Sequence, residues 1–122
     1  MAEHVYDSSD SCTGKNAVQE PLEYSIYSLL KKYQITITTA ESATGGMIAS
    51  TLINVPGISE FFTEGYVTYS NEAKVKMIHV SPETIDTYGV VSSETAADMA
   101  ASAAKTAQTM AAVSVTGVAG PD

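Results

Sequence analysis

Arginine and tryptophan are absent from this sequence, and cysteine occurs once. Without arginine the chain has no bidentate fork for a phosphate. Its cations are six lysines (Lys15, Lys31, Lys32, Lys74, Lys76 and Lys105), set against 14 acidic residues for a formal net charge of −8. Nucleic acid demands a dense cationic footprint, so no nucleic-acid partner is expected. No apolar run approaches the ~20 residues of a membrane helix, so no membrane partner is expected either. The single Cys12 excludes an intrachain disulfide. It sits in a polar leader, Met1 to Glu20, that lacks the apolar stretch of a secretory signal and carries acids that a transit peptide avoids. Residues 1–21 read as a disordered or loosely attached leader, with a cytoplasmic location as the default.

What the chain does have is enough apolar material for one core: 122 residues, 44% of them hydrophobic. From Leu22 to Tyr33 the residues Leu22, Ile26, Leu29, Leu30 and Tyr33 recur at helical spacing, with Lys31 and Lys32 suited to the negative end of the helix dipole. Ile35 to Thr39 reads as a strand. Met47 to Val55 reads as a helix closed by Pro56 and Gly57, and Gly65 to Tyr69 as a second strand. Short helices follow over Asn71 to Ile78 and from Ser81 to Gly89, the latter with a proline at its start. Ser92-Ser93-Glu94 opens an alanine-rich helix to about Thr109, and Ala112 to Val115 is the third strand.

Strands separated by helices predict an α/β fold with a mostly parallel sheet and helices on both faces. In such sheets sites form beyond the carboxyl ends of the strands, where three unusual loops lie. The first, Ala40 to Gly46, follows a strand and opens a helix, whose free N–H groups favour a bound anion or a developing oxyanion. Ser42 projects from this turn, either as a reactive hydroxyl or, with Thr44, as a simple helix cap. The second loop, Tyr69 to Lys74, places Lys74 near the start of a helix, where the dipole opposes its charge. A free lysine is neutral in fewer than about one molecule in a thousand at pH 7, whereas one tuned towards ~7–8 serves as a general base. Lys74 is read either as such a base or as a solvated surface lysine. The third loop, Thr116 to Asp122, either brings backbone amides and the Thr116 hydroxyl to a ligand or merely leaves its strand.

Other residues carry less. His4 lies in the leader, and His79, between Ile78 and Val80, reads as structural. With Cys12 they give no metal signature. Glu60, Glu64, Asp86, Glu94 and Asp98 read as solvated faces, and the methionines as core filler.

Taken together the loops resemble a known family. Thr38-Thr39-Ala40-Glu41-Ser42-Ala43-Thr44-Gly45-Gly46 resembles the opening signature of the CinA C-terminal domain family, also known as the nicotinamide mononucleotide deamidase family. Gly65-Tyr66-Val67-Thr68-Tyr69-Ser70-Asn71-Glu72-Ala73-Lys74 is similar to its second signature. Gly89-Val90-Val91-Ser92 and Thr116-Gly117-Val118-Ala119-Gly120-Pro121-Asp122 resemble two more. The resemblance runs from about Leu22 to the last residue. It implies a three-layer α/β/α domain over residues 22–122. The implied reaction is hydrolysis of the carboxamide of nicotinamide mononucleotide to nicotinate mononucleotide and ammonia, with no metal or organic cofactor. By the same resemblance Ser42 is the nucleophile, Lys74 the general base and Tyr69 a further catalytic-site residue. Glu41, Thr44, Gly45, Gly46, Asn71, Thr116 and Gly117 are implied substrate or oxyanion contacts.

Family members continue past the Gly-Pro-Asp corner, so the domain is expected to be incomplete at its C-terminus and the cation for a substrate phosphate is unassigned. A three-stranded sheet leaves an edge that a partner chain would cover, so a homo-oligomer is expected. The competing expectation is a non-catalytic nucleotide-binding or regulatory module of the same family.

Overall fold

The structure, a computed structural model, describes residues 20–118. The leader with His4 and Cys12, apart from its last two residues, and the stretch from Ala119 to Asp122 lie outside the described residues. Pro21, with φ fixed at −52°, precedes helix α1 (Leu22–Tyr33). Leu30 and Ile26 turn inward from it, whereas Leu22, Leu29 and Tyr33 are exposed. Gln34 ends the helix in the left-handed conformation, and the Ile35 N–H turns back to the Leu30 carbonyl at 3.0 Å. That bond is why strand β1 runs over Ile37–Glu41 rather than from Ile35. The chain is still closing α1 at the point where the β-branched run begins.

β1 is the centre of a parallel sheet of order β2–β1–β3, with β2 at Phe62–Val67 and β3 at Ala111–Val115. Ile37 pairs with Phe62 on one side and with Ala111 on the other. β2 starts three residues before the expected Gly65, because Ile37 N–H already bonds the Phe61 carbonyl at 2.8 Å. Flanked on both edges and covered on both faces, β1 is buried at every position.

Alternation along β1 divides the core in two. Ile37 joins Phe62, Leu30, Leu52, Val55, Ile58 and Phe61 on one face. These come from α1, α2 (Met47–Leu52) and a short 3-10 turn (Ile58–Glu60). The second helix is shorter than the expected Met47 to Val55, the remainder being turns. Ala40 belongs to the other face with Ile78, Val80, Ile85, Met99 and Ala103. That face is covered by α3 (Asn71–Ile78), α4 (Pro82–Tyr88) and α5 (Ser93–Ala107). The small Ala40 side chain, wholly buried, suits the close approach of the alanine-rich α5. The result is a three-layer α/β/α arrangement.

Some surface expectations change. Of the methionines, Met99 fills the core, but Met47, Met77 and Met110 are exposed. Asp98 is not simply solvated: its carboxylate accepts the Ser81 N–H at 3.1 Å and the Ser102 hydroxyl at 2.8 Å. His79 ends α3 in the left-handed conformation. No helix among the described residues is long and apolar enough to cross a membrane.

Candidate active site

The three strand ends are tied together at one rim. Ser42 follows β1 and gives its N–H to the Val115 carbonyl at the end of β3 (3.0 Å). Thr68 follows β2 and gives its N–H to the Glu41 carbonyl (2.8 Å). Ser70 then starts α3, its hydroxyl accepting the Ala73 N–H at 3.0 Å. Because α3 begins directly above the rim, the side chain one turn in, Lys74, points back over the strand ends instead of into water.

Lys74 has no exposed surface and Ser42 only 6%. Lys74 Nζ lies 3.1 Å from Ser42 Oγ, 2.8 Å from the Thr68 carbonyl and 3.5 Å from the Ser70 carbonyl. With no carboxylate among its partners in the described residues, burial holds the amine below its ordinary 10.5. Its place near the positive end of α3 acts in the same direction. Nζ thus faces three oxygens, the Ser42 hydroxyl and the carbonyls of Thr68 and Ser70, each placed to accept an N–H.

Beside this pair is a cleft of ≈ 330 Å³. It is lined by the polar residues Ser42, Lys74, Tyr69 and Asn71, by the small Ala43 and Gly117, and by Val90, Val91 and Val118, which form an apolar wall. The wall is pinned from behind. The Thr116 hydroxyl donates to the Val90 carbonyl at 2.7 Å, and the Gly89 carbonyl accepts from Ser92 and Thr95 hydroxyls at 2.8 and 2.6 Å. Of the residues singled out in the sequence, Ser42, Lys74, Tyr69, Asn71 and Gly117 therefore meet in one cleft. Thr116 stands behind it as a brace.

The structure places Glu41, Thr44, Gly45 and Gly46 differently. Glu41 is wholly buried on the α2 side of the sheet. Its Oε1 accepts the Thr44 hydroxyl (2.7 Å) and the Ile48 N–H (2.8 Å), and its Oε2 accepts the Ala49 N–H (3.0 Å). Burial raises the carboxyl's pKa. The N–H groups of Ala49 and Ile48, the Thr44 hydroxyl and the Gly46 N–H outweigh it and hold the group below its usual value. This corrects the expectation for the helix start: the amides of α2 are occupied by the chain's own carboxylate, not held open for an oxyanion. Neither Ser42 nor Thr44 caps α2. The N-cap is Gly46, at φ 109°, preceded by Gly45 at φ 63°. Both glycines serve the left-handed turn, and neither lines the cleft.

The valine wall and the carbonyls of Thr68 and Ser70 were not assigned roles from the sequence. The one available signal for the wall was Val90-Val91, an apolar pair set between a helix-ending glycine and a helix-capping serine. Backbone carbonyls leave no mark on a sequence. Among the described residues no cluster of three His, Cys, Asp or Glu side chains is placed to hold a metal ion.

Comparison with known proteins agrees with this architecture. Residues 19–122 match the CinA C-terminal domain. A CinA-like protein of Kosmotoga olearia is 52% identical over 103 residues, covering 84% of this chain and 25% of that protein. The chain thus spans about a quarter of the length of the curated relatives it matches. The crystal structure of a competence/damage inducible protein from Agrobacterium tumefaciens is 42% identical with a TM-score of 0.75, over 83% of this chain and 61% of that one. That of a competence-damaged protein (CinA) superfamily member from Enterobacter cloacae is 32% identical with a TM-score of 0.82, over 100% of this chain and 69% of that one.

Proposed function

The chain belongs to the CinA C-terminal domain family, and from that premise we propose that it is an amidase that hydrolyses the carboxamide of nicotinamide mononucleotide through a Ser42–Lys74 dyad. The observation that carries the reading is the 3.1 Å approach of a buried lysine, with no carboxylate among its described partners, to a serine hydroxyl at the mouth of a cleft. An amide is a poor electrophile, and its hydrolysis calls for an activated nucleophile and a stabilised oxyanion.

The neutral Lys74 amine takes the Ser42 proton as Ser42 Oγ bonds to the carboxamide carbon. The carbonyl π electrons move onto oxygen, where the Ala43 N–H at the cleft is the donor we assign. Collapse of that intermediate breaks the C–N bond, and the Lys74 ammonium returns its proton to the nitrogen, which leaves as ammonia. Water then attacks the resulting ester and gives a proton to Lys74. The acid product departs as the Ser42 hydroxyl is restored by that proton. This is the nucleophile-and-base logic of the serine hydrolases with an amine in place of histidine.

The substrate's ring is a pyridinium, flat and cationic. The valine wall offers it an apolar surface, and the exposed Tyr69 ring offers a π face that attracts a cation. Asn71 offers an amide at the cleft rim.

The test is ammonia release from nicotinamide mononucleotide by the chain and by Ser42→Ala and Lys74→Ala. The reading expects turnover in the parent and a loss of at least about 1,000-fold in each variant. Turnover that survives in either variant would remove the dyad.

A further inference from the structure

We propose that Glu41 is the positioning residue for Ser42: its buried carboxylate locks the start of α2 to the end of β1, and so fixes the turn that presents the hydroxyl to Lys74. This rests on the reading of Ser42 as the nucleophile.

α2 cannot cap itself. Its N-cap, Gly46, has no side chain, and its first turn holds no acidic residue. The amides of Ile48 and Ala49 find their acceptor seven and eight positions earlier, on a residue that belongs to the central strand. The Thr44 hydroxyl, halfway round the turn, closes on the same carboxylate. One side chain thus holds the strand end, the middle of the turn and the helix start. Ser42 lies inside that loop. Its remaining backbone groups are also fixed, the N–H by the Val115 carbonyl and the carbonyl by the Gly45 N–H, each at 3.0 Å. With the backbone held on both sides, the hydroxyl is directed to Lys74.

A carboxylate is the only side chain of this length that accepts on both oxygens. Glutamine keeps the shape but turns an NH₂ towards one set of N–H donors, which forces the turn to shift. The Glu41 side chain does not line the cleft, so its effect reaches the reaction through the turn that carries Ser42. Displacement of a reacting group by about 1 Å costs on the order of 100-fold in rate.

The experiment compares the full chain with Glu41→Gln and Thr44→Val. Measured are kcat and KM for ammonia release, Tm, the rate at which phenylmethanesulfonyl fluoride labels Ser42, and the Ser42–Lys74 distance in the variant crystal structures. For Glu41→Gln the proposal expects kcat and the labelling rate to fall together, by roughly 100-fold, with KM within about threefold. It also expects Ser42 Oγ beyond hydrogen-bond reach of Lys74 Nζ. Thr44→Val should show the same pattern with a smaller loss, and it decides the matter alone should Glu41→Gln fail to fold. A residue that only stabilised the fold would lower Tm and leave kcat of the folded fraction unchanged; that result, or an unchanged distance, overturns the proposal. A parent that releases no ammonia would defeat the amidase reading, and the measured distance would still decide the role of Glu41.

Discussion

Lys74 Nζ meets Ser42 Oγ at 3.1 Å across 32 positions of sequence. The contact exists because two parallel strands end side by side and hand their chains to different elements. β1 leads into the glycine turn that carries Ser42, and β2 leads into the first turns of α3 that carry Lys74. The Thr68 carbonyl, itself tied to Glu41 through Thr68 N–H, fixes the amine from the opposite side. The pair is therefore a property of the sheet edge rather than of either loop alone.

Replacement of Lys74 by methionine separates charge from volume. In the unfolded chain Lys74 has its ordinary 10.5, and in the folded chain it titrates lower. Between those two values the unfolded state holds a proton that the folded state lacks, so stability rises with pH. The penalty is full below the folded value and gone above 10.5. Stability of the parent minus that of Lys74→Met should accordingly grow with pH across this window in denaturant titrations. Parallel curves would mean that the amine is charged in the folded protein.

Close approach of β1 and β2 gives a second check, on the fold. A Cβ at Gly65 would collide with Thr39 Oγ1 and come within 3.1 Å of Phe62 Cζ. Gly65→Ala should cost about 1–3 kcal/mol, a Tm fall of about 4–8 °C for each kcal/mol. A Tm equal to the parent's would show that β2 lies farther from Thr39 than the structure has it.

Much of this was legible in the sequence, and the parts that were not have a common cause. The bounds of α1 and α3 follow from periodicity and local caps, and the Ser92 cap of α5 from a hydroxyl three residues before the Thr95 N–H it accepts. The starts of β1 and β2 shifted by two and three residues and that of β3 by one, because β-branched runs mark a strand's existence while its ends are set by neighbours: Leu30 claims Ile35, and Phe61 claims Ile37. At the site, hydroxyl and amine were visible as residue types. Glu41 was not legible as a helix cap, since its partners lie outside any short spacing rule. A carboxylate among small residues looks the same whether it faces a ligand or a helix.

Thr116 gives a prediction on substrate affinity. Thr116→Val keeps the volume and removes the bond to the Val90 carbonyl, so the valine wall loosens while the dyad is untouched. KM should rise roughly fivefold, equivalent to about 1 kcal/mol, with kcat within about twofold. Steady-state kinetics of ammonia release decide it; a fall in kcat at constant KM would place Thr116 in the reaction rather than behind it.

The account turns on an uncharged amine. Its most direct test is an NMR titration of Lys74, with the side chain isotope-labelled and assigned through Lys74→Met. The expected midpoint lies below the ordinary 10.5 and coincides with the acid limb of kcat/KM for ammonia release. A Lys74 that titrates at or above that value contradicts it, because the dyad would then present an ammonium to Ser42 and have no base.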